Sequence, residues 1–97
     1  MKSTSYTEAI QLLQKALLLG KKMNDGDKQL FSYNLIALCF YHLRNYQVSL
    51  DYIDRTLELL LENENYLIRI QILNTKGGVY LKNKEFELAI TAFKECL

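Results

Sequence analysis

Apolar positions recur along this chain with two periods. The short one is helical: Tyr6, Ala9, Ile10, Leu13, Ala16 and Leu17 fall three and four residues apart, as do Leu30, Tyr33, Ile36, Ala37 and Phe40. Such spacing puts one apolar face on an α-helix. Five helices are predicted. The hydroxyls of Ser3, Thr4 and Ser5 are placed to cap the first, which ends near Gly20 to Asn24. Asn24-Asp25-Gly26-Asp27 is the strongest breaker and cap signal of the chain, and a second helix follows from about Lys28 to Leu43. A turn at Arg44-Asn45 leads to a third helix, Tyr46 to Leu61, which Glu62-Asn63-Glu64-Asn65 breaks. A fourth covers Tyr66 to Leu81. Lys82-Asn83-Lys84 turns the chain into a fifth, Glu85 to Leu97.

The long period is 40 residues. Tyr6, Tyr46 and Phe86 are 40 apart, and so are Ala9, Ser49 and Ala89; Leu13, Ile53 and Phe93; Ala16, Thr56 and Cys96; and Leu17, Leu57 and Leu97. A second register links Tyr33 to Leu73, Ala37 to Gly77 and Phe40 to Tyr80. Small residues match small ones and bulky match bulky. A fixed period of roughly 20–50 residues marks a solenoid, whose units bury a face only by stacking on their neighbours. The predicted fold is therefore all-α, with antiparallel helical hairpins stacked side by side. Calling the two helices of a unit A and B, the chain reads B, A–B, A–B. Residues 1–24 form helix B of a partial repeat, 25–64 a repeat, and 65–97 a repeat ending in helix B. Both ends of this single domain should expose apolar surface. That predicts either a piece of a longer protein or a chain that hides its ends by self-association; the alternative is a complete small domain whose terminal helices fray.

Composition narrows the function classes. The chain has 97 residues, 49% hydrophobic and 24% charged, which suits one small globular domain. Proline is absent and glycine occurs four times, a composition that favours helix. The net charge is +1 with the signs interleaved, so no basic patch of the kind that drives nucleic-acid binding is expected. The longest apolar runs, such as Ala16–Leu19 and Leu59–Leu61, are too short to span a bilayer. Met1-Lys2-Ser3-Thr4-Ser5 is polar and unlike a signal peptide, so Cys39 and Cys96 read as buried thiols of a cytoplasmic protein.

Within the units the spacing is specific. Tyr33-x-x-Ile36-Ala37-x-x-Phe40 is followed nine residues later by Ser49, then Ile53 and Thr56; Leu73-x-x-Lys76-Gly77-x-x-Tyr80 is followed nine later by Ala89, then Phe93 and Cys96. This resembles the tetratricopeptide repeat over nearly the whole chain. Small residues let the two helices of a hairpin approach, and large ones fill the space around the contact. Leu73 stands where the family has an aromatic, Lys76 replaces an apolar residue, the proline after helix B is missing, and the period exceeds the usual one. The extra residues fall between Thr56 and Leu73, at the end of B and the start of the next A. Long units of this kind are similar to those of Gram-positive peptide-sensing regulators, the Rap-type phosphatases and the transcription factors related to PlcR and NprR. The resemblance implies a right-handed solenoid with the A helices on its concave side. It also implies a short signalling peptide held there by asparagines, with regulation of transcription or signalling as the output.

Asn34 and Asn74 are the identical polar residues shared by the two A helices. Counting by three and four from each gives Phe31, Asn34, Leu38 and Tyr41, and Gln71, Asn74, Gly78 and Leu81, as the candidate peptide-binding stripe. An Asn amide donates and accepts at once and so matches a peptide bond. Gly78 would leave room for the ligand. The competing reading is a solvated face, or one packed on another domain or copy, which would make the chain a structural scaffold. No catalytic residue, metal site or cofactor is expected. His42, the single histidine, has no nucleophile and carboxylate set around it, and one His with two dispersed Cys makes no zinc site. Lys76-Gly77-Gly78 lies mid-helix without phosphate-loop spacing. A catalytic bundle or a helix-turn-helix would have to come from elsewhere. Lys82, Lys84, His42 and Arg44 gather at the A–B turns, either as solvated turns or as a mildly basic edge for an acidic partner. The expected partners are thus a peptide or protein and copies of the same chain, with neither nucleic acid nor membrane.

Overall fold

A computed structural model describes the backbone of residues 3–96 and the side chains of residues 5–96. The described residues form five helices: α1 (Ser3–Lys22), α2 (Gly26–His42), α3 (Tyr46–Leu60), α4 (Tyr66–Lys82) and α5 (Phe86–Cys96). The expected cap hydroxyls of Ser3 and Thr4 and the register position of Leu97 lie outside the described side chains. Ser5 is inside α1 and does not cap it.

The helix starts follow a half-period of the repeat. Asp25, Asn45 and Asn65 are 20 residues apart, and each is an N-cap. The Lys28 amide donates to the Asp25 carboxylate at 3.1 Å, that of Val48 to Asn45 Oδ1 at 3.4 Å, and that of Ile68 to Asn65 Oδ1 at 3.0 Å. Each bond satisfies a donor that the first helical turn leaves free. The cap at Asp25 lets α2 start at Gly26, two residues before the expected Lys28. The helix ends need neither glycine nor proline. Asn24, Arg44 and Lys84 take left-handed backbone angles, with φ of 53°, 63° and 61°. The next amide then reaches back across the turn, Asp25 to Gly20 O at 2.8 Å, Asn45 to Phe40 O at 2.9 Å and Glu85 to Tyr80 O at 2.8 Å. This is the six-to-one bond that closes a helix end.

Consecutive helices pack on one another, and α2 also packs on α4. The A helices α2 and α4 thus lie side by side, with the B helices α1, α3 and α5 behind them. Leu30, Ile36, Ile53, Leu60, Ile68, Ile72 and Val79 are fully buried. The small positions of the repeat carry the hairpin contacts. Ser49 and Ala37 are both sealed from solvent, and the Ser49 hydroxyl donates to Ala37 O at 2.8 Å. Gly77 faces the ring of Phe93. Ala89 is fully buried on α5, and Ala89→Leu is expected to lower stability by about 1–3 kcal/mol, because added volume there forces α5 away from α4. A chemical denaturation curve unchanged by this substitution would mean that the 40-residue register is wrong.

Equivalent positions are buried unequally. The series Ile10, Leu50, Ile90 goes from 7% exposed through half-buried to 54%; Leu12, Tyr52, Ala92 goes from 66% through half-buried to 3%. A B helix covers one face with its own A helix and another with the next. Among the described helices only α3 has both neighbours.

Candidate functional site

The exposed face of the two A helices is where the stripe expected from sequence lies. Asn34, Leu38, Gln71 and Asn74 come together around a shallow groove of about 230 Å³, with Leu35 and Thr75 completing its lining. Leu35 and Thr75 are also 40 apart, so the period itself could have found them; counting from the asparagines passed them by.

The two asparagines are not equivalent. Asn34 is 5% exposed, and its amide Nδ2 donates to Gln71 Oε1 across the α2–α4 contact at 2.9 Å. Asn74 is exposed on the same face and has no side-chain hydrogen bond to a described residue. One asparagine therefore joins the two A helices, and the other presents a free amide. Thr75 spends its hydroxyl on Gln71 O at 3.0 Å, which holds it against its own helix.

The remaining stripe residues lie outside this groove. Phe31 and Leu81 expose much of their side chains. Gly78 does not leave open room: a methyl group built on it would meet the Tyr41 ring and hydroxyl at 3.1–3.2 Å. The space that glycine frees on α4 is taken by Tyr41 of α2, three residues beyond Leu38. Tyr41 in turn meets Tyr46 with ring centroids 5.9 Å apart and His42 at 5.3 Å.

A second, larger pocket of about 690 Å³ opens beside this point. It is lined by Tyr41, His42, Arg44, Tyr46 and Lys82, from the α2–α3 turn and the end of α4. His42 stacks on Tyr6 at 5.2 Å with an interplanar angle of 15°. Lys84 belongs to a different surface, beside Phe86 and Leu88. The two thiols are free; burial pushes Cys39 above the ordinary thiol value, and burial with the neighbouring Glu95 does the same to Cys96. Both are half-buried. Among the described residues no three of His, Cys, Asp and Glu gather as a metal site would require. No described helix is long and apolar enough to cross a membrane.

With this geometry in place, similarity to known proteins can be stated. The Tetratricopeptide repeat family model matches residues 29–97, from the first turn of α2 onward. No curated protein and no solved structure matches the chain.

Proposed function

The chain belongs to the tetratricopeptide-repeat family, whose repeats mediate protein–protein interactions, and from that premise we propose that it binds an extended peptide across α2 and α4. The observation that carries this reading is the Asn34–Gln71 bond beside an exposed Asn74. A part-buried polar link between the A helices ties them together, and a free amide beside it offers a donor and an acceptor to a peptide bond. Phe31, Leu35 and Leu38 supply apolar surface along the same face. In this reading Asn34 positions and Asn74 binds. The ligand class that best fits is a short, unstructured peptide, and the chain serves as the sensor segment of a bacterial regulator. Two free thiols support a reducing, cytoplasmic setting.

Asn74→Ala is the informative variant, because Asn34→Ala also removes a bond between helices. Asn74→Ala is expected to weaken peptide binding by up to about tenfold, the worth of one net hydrogen bond, with an unchanged melting curve. Fluorescence anisotropy against a library of short peptides measures it. Equal affinity of the variant for every binder would remove the groove as the site.

A second reading is a self-association module. It is favoured by Leu12 and Leu18 exposed on α1, Met23 exposed just after it, and Phe86, Leu88 and Ile90 exposed on α5. A sedimentation coefficient independent of concentration would argue against it.

A further inference from the structure

We propose that the pocket formed by Tyr41, His42, Arg44, Tyr46 and Lys82 takes the carboxylates of an acidic segment of the bound peptide. The inference rests on the groove reading only for where the peptide's backbone runs. Two observations support it. First, the pocket lining contains no Asp or Glu, and its two permanent cations come from different elements, Arg44 from the turn after α2 and Lys82 from the last residue of α4. Second, neither cation has an ion-pair partner among the described residues, although the chain carries 11 acidic residues. Basic residues at helix C-termini are favoured by the helix dipole, which accounts for Lys82 and His42 singly. It does not account for their convergence with Arg44 on one cavity.

The chemistry of the lining fits a carboxylate better than an apolar group. A guanidinium donates two parallel hydrogen bonds to a carboxylate, an ammonium adds charge, and tyrosine hydroxyls donate at the rim. The pocket is open, so its attraction is screened by salt. Tyr41 is one helical turn beyond Leu38 on the same helix, so a peptide lying in the groove and running toward the C-terminal end of α2 reaches the pocket. The pocket thereby sets the direction in which the peptide lies.

The test uses three peptides with one common apolar core and an end made of two glutamates, two glutamines or two lysines. Arg44→Gly removes the charge without backbone strain, and Lys82→Gln removes the other while keeping the helix. The glutamate peptide is expected to bind about fivefold tighter than the glutamine peptide, as two exposed ion pairs allow. That preference should vanish in the Arg44→Gly/Lys82→Gln variant and in high salt, with the glutamine peptide's affinity unchanged. Equal binding of the two peptides, or a preference that survives in the variant, overturns the proposal. An oligoglutamate without the apolar core, followed by NMR at the Arg44 and Lys82 resonances, separates the two readings. Shifts there that persist in Asn74→Ala support the pocket even if the groove fails. Inorganic phosphate shifting the same resonances equally well at the same concentration overturns it, because the pocket would then be an unselective anion patch.

Discussion

Ile53→Ala is expected to destabilise the protein by about 2–5 kcal/mol, while Leu13→Ala, the same repeat position in the preceding B helix, costs less than half as much. Ile53 is fully buried, in the cluster that joins α2, α3 and α4 through Leu30, Ala37, Leu60, Ile68, Ile72 and Val79. Truncation there removes three heavy atoms from a site walled by two A helices, which cannot both move in to fill the space. Leu13 is half-buried and meets only the smaller cluster of Leu17, Tyr33 and Ile36. A domain of this size has about 5–15 kcal/mol of stability in all, so Ile53→Ala removes a sizeable part of it. Urea denaturation of the two variants checks this. Equal costs would mean that α1 is as enclosed as α3 and that the unequal burial of equivalent positions has no energetic meaning.

That inequality also marks what the sequence could and could not disclose. A period in sequence states which residues play the same part in each unit. It carries the helices, the small–large hairpin contacts and the caps, because each depends on residues only three to twelve apart, as in Asn45 capping Val48 or Ala37 beneath Ser49. It treats Asn34 and Asn74 as twins, and structurally they are not. Asn34 has a following A helix against it, which supplies Gln71 as partner; no described helix stands in that relation to Asn74. The side of a helix that is covered depends on its place in the stack, and no local pattern encodes place. Tyr41 over Gly78 has the same origin. Both lie in the expected stripe, but they are one unit apart, so their contact is a property of the stacking and fills the room the glycine was expected to leave. The basic edge was visible as Lys82, Lys84, His42 and Arg44; that Lys82 joins Arg44 while Lys84 does not follows from how α4 ends beside the α2–α3 turn.

Gly77→Leu is expected to cost about 2–4 kcal/mol and to release α5 while leaving the rest of the stack folded. A methyl group at position 77 would lie 2.5, 2.6 and 2.8 Å from Cε1, Cζ and Cδ1 of Phe93, closer than real contacts allow. For alanine the conflict is modest. The Phe93 ring is the far end of a half-buried side chain and can swing aside, and alanine gains about 1 kcal/mol of helix propensity over glycine. Gly77→Ala therefore stays within about 1 kcal/mol of the parent. Leucine brings three further carbons, and no tilt of the ring accommodates them without lifting Phe93 from its place. Among the described helices α5 packs on α4 alone, so the cheapest relief is to undock it. The free energy of docking α5 then caps the cost. The expected signature is a loss of helical signal equivalent to the 11 residues of Phe86–Cys96, with fast hydrogen exchange confined to them. Adding Phe93→Ala to Gly77→Leu opens the space and should return part of the loss, a coupling that neither single variant shows. Unfolding of α2, α3 and α4 together with α5 would instead mean that the units do not act as nearest neighbours, and a Gly77→Leu variant as stable as the parent would place the Gly77–Phe93 contact outside the folded state in solution.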